Sequence, residues 1–100
     1  MKSISKVLWS KRAETDLKSI INFLERNWTD KEVTNFVRKL DKQISIIQNQ
    51  PNAFPATNRK NVRRSVLSRQ ITIYYDIMED AVRIVALFDT RQSPDKLKSV

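Results

Sequence analysis

The side chains able to do chemistry in this 100-residue chain are mostly cations: 19 Lys and Arg stand against 11 Asp and Glu, and the formal charge is +8. Histidine and cysteine are absent. That removes every His or Cys nucleophile or base, the common zinc and haem sites, and disulfides. Glycine is absent too, and a loop cradling phosphates generally needs glycine for close backbone approach, so nucleotide-dependent enzymes drop out. The sequence implies no cofactor and no metal. The cations are unevenly spread. From Asp41 to Asp76 there is no acidic residue, whereas Lys42, Arg59, Lys60, Arg63, Arg64 and Arg69 all fall there. A local field this unbalanced attracts a polyanion or an acidic partner.

These arginines front a run of strands. Val62–Ile77 and Val82–Arg91 alternate apolar and polar residues as strands with one buried face do, with turns near Ser68–Arg69 and Met78–Asp80. Ile71, Ile73, Tyr75 and Ile77 share one face, and Thr72, Tyr74 and Asp76 share the other. Arg63 and Arg64 must face opposite sides. Arg64 has the parity of Val62 and Val66, so Arg63 is the residue expected outside. Arg83, Val85 and Leu87 project opposite Val82, Ile84, Ala86 and Phe88, which gives the last strand two apolar faces that need two covers. The basic pair Arg59–Lys60 reads as a solvated turn.

Ahead of the strands lie the elements that position them. Ile4–Trp9 reads as a first strand, with Ser10 as the N-cap of a helix from about Lys11 to Asn27 whose stripe is Ala13, Leu17, Ile20, Ile21, Leu24 and Trp28. Thr29-Asp30-Lys31-Glu32 has the form of a capping box opening a second helix. Val33, Phe36, Val37, Leu40, Ile44 and Ile47 carry its period to about Asn49, and Pro51 stops it. The short connection makes the helices an antiparallel hairpin. Residues 51–61 form a loop anchored by Phe54. The order β-α-α-β-β-β gives an α+β fold, a helical hairpin packed on one face of a small, mainly antiparallel sheet, as one domain over residues 1–100. No apolar run approaches the ~20 residues of a spanning helix and no apolar segment follows the basic start, so the expected location is the cytoplasm, with no membrane partner.

Together Leu8-Trp9-Ser10 with Ala13 and Asp16-Leu17, the hairpin at Trp28, the helix end at Ile47–Pro51, Val62-Arg63-Arg64, Ile73-Tyr74-Tyr75 and Leu87-Phe88-Asp89-Thr90-Arg91 resemble the ParE/RelE superfamily of bacterial toxins from type II toxin-antitoxin modules. The order and spacing of these pieces carry the likeness, over nearly the whole chain. The resemblance implies a toxin neutralised by a cognate acidic antitoxin, in complexes up to a heterotetramer. It implies one of two actions: a ParE-like block of DNA gyrase by binding, or RelE-like cleavage of messenger RNA on the ribosome. A basic nucleic-acid-binding module without toxicity is a third reading of the charge alone.

Cleavage at a ribose 2′-hydroxyl needs a base, an acid for the leaving oxygen and cations for the transition state. Arg91 stands where the ribonuclease branch places an arginine after its last strand. Where that branch has another strand arginine this chain has Thr72, and the residues after Arg91 include no tyrosine or histidine. Unshifted serine and lysine are poor substitutes near neutral pH. The expectation is therefore inhibition by binding, with no catalytic residue. Arg63, Arg69, Tyr74 and Arg91 form the expected target surface, and Arg83, Val85 and Leu87 the expected antitoxin surface.

Overall fold

The computed structural model describes residues 6–91. Six elements follow one another: β1 (Lys6–Trp9), α1 (Lys11–Asn27), α2 (Asp30–Asn49), β2 (Val62–Val66), β3 (Ile71–Ile77) and β4 (Ala81–Asp89). The sheet runs β1-β4-β3-β2, with β1 parallel to β4 and the other neighbours antiparallel. Residues 4 and 5 of the expected first strand lie outside the described residues. The α+β order and the hairpin on one sheet face agree with the sequence.

Ser10 ties the first strand and first helix to the last strand. Its Oγ accepts from the Ala13 amide at 3.0 Å, its hydroxyl donates to the Val85 carbonyl at 2.7 Å, and its own amide donates to the Ile84 carbonyl at 3.0 Å. α1 then buries Ala13, Asp16, Ile20 and Leu24. A carboxylate inside an apolar stripe needs partners. Asp16 has them: its Oδ2 accepts from the Leu87 amide at 3.1 Å and from Arg12 Nε at 3.4 Å, linking α1 to β4.

Two helical expectations are corrected. Trp28 is 54% exposed, because α1 ends before it and its backbone is extended, so the indole leaves the buried stripe. The capping box does not form. Thr29 makes no side-chain cap; its carbonyl accepts from the Glu32 and Val33 amides instead, and Asp30 and Glu32 place negative charge at the positive end of α2. Val37 also points outward, while Phe36, Leu40, Ile44 and Ile47 are buried. They join Ile20, Leu24, Ile73, Tyr75, Val82, Ile84 and Leu87 in the core between hairpin and sheet.

Pro51 ends α2 and is buried, and its carbonyl accepts a 2.7 Å hydrogen bond from the Tyr75 hydroxyl. Phe54 meets the Tyr75 ring edge-on, with centroids 6.2 Å apart. The rest of the loop covers the outer edge of β2: Thr57 N donates to the Val62 carbonyl and Arg64 N to the Pro55 carbonyl, at 2.9 and 3.0 Å. Pairing this edge removes a template for aggregation. Asn61 takes φ 65° where the chain turns into β2, a conformation asparagine tolerates better than most residues.

The registry of β4 changes partway. Tyr74 pairs with Ala86 but Tyr75 with Ile84, leaving Val85 without a partner on β3. Such a bulge flips the parity of every residue beyond it. Ile84 faces the core before the bulge; after it Leu87 and Asp89 face the helices, while Ala86 and Phe88 face away.

Candidate target-binding surface

The expected order of Arg63 and Arg64 is reversed. β2 buries Val62 and Ser65 while Arg64 and Val66 are exposed. The Arg63 guanidinium turns back under the 51–57 loop, where Nη1 donates to the Phe54 carbonyl at 2.6 Å and to the Asn52 carbonyl at 3.4 Å. Arg63 therefore holds the loop. The pattern of β2 does not follow its apolar residues: Ser65 is the inward side chain, and it accepts from Gln43 Nε2 of α2 at 2.6 Å. Buried serine is invisible to a hydrophobic alternation.

Arg64 faces the open side of the sheet and makes no ion pair among the described residues. Beside it on β3 is Tyr74, its direct cross-strand partner, then Thr72 opposite Val66. With Phe54 and Pro55 these side chains line an open cavity of about 450 Å³. Val66 is 64% exposed at its rim. This gives a cation, a phenol and an apolar wall on one surface, a combination that binds by contact and charge. Arg69 is exposed in the β2–β3 turn, and it too has no ion pair among the described residues.

Arg91 is differently placed. Its Nε and Nη2 bind the two oxygens of Asp89, each at 2.9 Å, and its amide donates to Asp89 Oδ1 at 2.9 Å. The Asp89 carboxylate is almost fully buried, and the guanidinium carbon of Arg91 lies 5.1 Å from the centre of the Phe23 ring on α1. Arg91 thus closes the end of β4 against α1, and spends its planar fork on an internal carboxylate.

The three residues expected to meet an antitoxin do not share one surface. Leu87 is 2% exposed in the core, turned there by the bulge at Val85, and this corrects its expected outward position. Arg83 is exposed and bound to its cross-strand neighbour Asp76, through Nε to Oδ1 at 3.1 Å and Nη2 to Oδ2; the hydrogen bonds and charge of Asp76 raise its pKa above the usual value. Val85 is half-buried. A separate groove of about 220 Å³ runs between the hairpin and the β2–β3 turn, with Leu24, Phe36, Leu67 and Ile71 as floor and Glu32, Lys39 and Arg91 at its sides.

The Tyr75 hydroxyl is inside the core, pushed up to about 12 by burial against the opposing influence of Arg63. Among the described residues no group of three or more His, Cys, Asp or Glu could hold a metal ion, and no helix is long and apolar enough to cross a membrane.

The family model of the ParE toxin of the type II toxin-antitoxin system parDE matches residues 7–94. The chain belongs to the ParE toxin family. Among solved structures, the chromosomal ParDE toxin-antitoxin system from P. aeruginosa is 17% identical, with a TM-score of 0.75 over 86% of this chain and 96% of that one. The E. coli DinJ-YafQ complex is 13% identical, with a TM-score of 0.59 and coverage of 86% and 92%. The YoeB dimer from Staphylococcus aureus is 14% identical, with a TM-score of 0.59 and coverage of 83% and 93%. At these identities the likeness is one of fold. No curated protein matches the chain. The bulge at Val85, the buried Asp16 and the Asp89–Arg91 pair hold β4 in place against α1; the pair was one of two readings the sequence allowed for Arg91. Of the three, Asp16 carried a visible signal as a charge inside the apolar stripe of α1.

Proposed function

We propose that this ParE-family chain arrests growth by binding DNA gyrase, without breaking bonds itself, and that a small acidic antitoxin neutralises it. The observation that carries the reading is the state of Arg91. An arginine that serves a phosphorane must present its donors to the substrate, whereas this one gives its Nε and Nη2 edge to Asp89 and its face to Phe23. With Thr72 where the ribonuclease branch has a strand arginine, cleavage lacks a cation at one of the two positions the resemblance points to and has a carboxylate-bound one at the other. Among the open cations, Arg64 stands directly across from Tyr74 and Arg69 lies in the β2–β3 turn, and they suit a binding face; Arg63 holds the loop beside it.

The antitoxin reading draws on the +8 charge and on the P. aeruginosa relative, which is a ParDE pair. Its place is the groove between the hairpin and the β2–β3 turn, where an apolar floor and the Lys39 ammonium suit an amphipathic acidic segment. The rival, ribosome-dependent cleavage of messenger RNA, is favoured by one feature, the adjacency of Arg64 and Tyr74 on an open face. Purified protein assayed on gyrase supercoiling and on translating ribosomes separates the two. The proposal expects blocked supercoiling or trapped cleaved DNA and intact messenger RNA; codon-positioned RNA cuts with gyrase untouched would replace it with the ribonuclease.

A further inference from the structure

The Val85 bulge leaves a second cavity on the open side of the sheet, of about 360 Å³, lined by Ser10, Arg12, Arg59, Arg83, Val85 and Ala86. Three arginines line it from three elements, two of them ion-paired, Arg12 with Asp16 and Arg83 with Asp76. Arg12 comes from the first turn of α1, Arg83 from β4, and Arg59 from the turn before β2, which Thr57 ties down by accepting from the Arg59 amide and donating to the Arg59 carbonyl, each at 3.2 Å. Arg59 makes no ion pair among the described residues. A turn that looked merely solvated is thus pinned so that its arginine borders the same cavity as two others.

We propose that this cavity is an oxyanion site that takes a phosphate group. The molecule itself shows what satisfies a carboxylate here: one arginine fork, as in Arg83 with Asp76 and Arg91 with Asp89. A carboxylate has two oxygens in one plane, and a single fork uses both. A phosphate presents oxygens in several directions, so convergent arginines on different elements match it better. The half-buried Val85 and buried Ala86 form an apolar base that lowers the local dielectric and strengthens each charged contact. The phosphate can be a free anion or part of a nucleic-acid backbone, and the site does not depend on gyrase being the target.

The test is a titration of the full chain with inorganic phosphate at constant ionic strength, followed by NMR of arginine Nε–Hε groups and backbone amides. Expected are saturable shifts at Arg59, Arg83, Val85 and Ala86, and an affinity about tenfold weaker in Arg59→Ala, the loss of one charged contact, with an unchanged melting temperature. Arg59→Lys should recover part of it. A short DNA duplex is the second arm: weaker binding by Arg59→Ala, with a salt slope reduced by about one, assigns the phosphate to a nucleic-acid backbone, and an unchanged duplex affinity assigns it to a free anion. No shift beyond that given by chloride, equal shifts with acetate, or full phosphate affinity in Arg59→Ala would overturn the site.

Discussion

The two ends of the arginine inventory are used in opposite ways. At the end of β4, Arg91 is held by Asp89 along its Nε and Nη2 edge and by the Phe23 ring at its face. On the open face of β2 and in the turns on either side of it, Arg64, Arg59 and Arg69 have no ion pair among the described residues. The difference lies in neighbours rather than in the arginines. Asp89 is two residues from Arg91, whereas the stretch from Asp41 to Asp76 offers no carboxylate at all. On the function proposed above, the arginine at the position the ribonuclease branch uses is structural, and the run without carboxylates supplies the interaction face.

The contrast is most exposed to failure at Asp89. Removing one partner of a buried pair costs about 3–5 kcal/mol in general; since Arg91 is partly exposed and can turn to water, Asp89→Ala should lose about 3 kcal/mol in urea unfolding. A loss under half a kcal/mol would mean the pair is a surface contact and Arg91 is open after all. Arg63 comes next. Its two loop carbonyls are charge-assisted acceptors, so Arg63→Ala should cost about 2 kcal/mol and raise hydrogen exchange in residues 52–57, a local effect that a target-facing arginine would not produce.

Tyr75→Phe removes the hydrogen bond to the Pro51 carbonyl and should cost about 1 kcal/mol. It should also flatten the alkaline side of the stability curve. A tyrosine in the unfolded chain releases its proton near 10, and Tyr75 in the fold near 12. Between these values the native state binds more protons, so stability falls as pH rises from about 10 towards 12. Wild-type protein whose stability is level across that window would contradict the buried position of this hydroxyl. The smallest expected effect is that of Arg64→Ala, within about half a kcal/mol of wild type in the same unfolding experiment.

The helices and strands were legible because their apolar spacing is regular. α1 was placed at its observed bounds, and the Ile71, Ile73, Tyr75 face of β3 as it is found. What escaped was whatever a polar atom or an irregular backbone decides. Ser65 reversed the faces of β2 by pointing inward to Gln43, and Val85 reversed the end of β4 by dropping out of register. Hence Arg63 and Leu87 were expected on the outside. Trp28 and the Thr29 cap went wrong at the hairpin tip, where a residue or two of helix length decides direction. The basic field was readable as composition; the convergence of Arg12, Arg59 and Arg83 was not, since it joins residues 12, 59 and 83 through a bulge.

Inhibition of gyrase supercoiling, measured side by side for Arg64→Ala and Arg91→Ala and normalised to the folded fraction of each, addresses the comparison directly. Arg64→Ala, stable as wild type, should need about tenfold more protein for half inhibition. Arg91→Ala should be less stable yet, molecule for folded molecule, inhibit like wild type. Full activity in Arg64→Ala together with a well-folded, inactive Arg91→Ala would contradict it, and would return the last-strand arginine to the centre of the site.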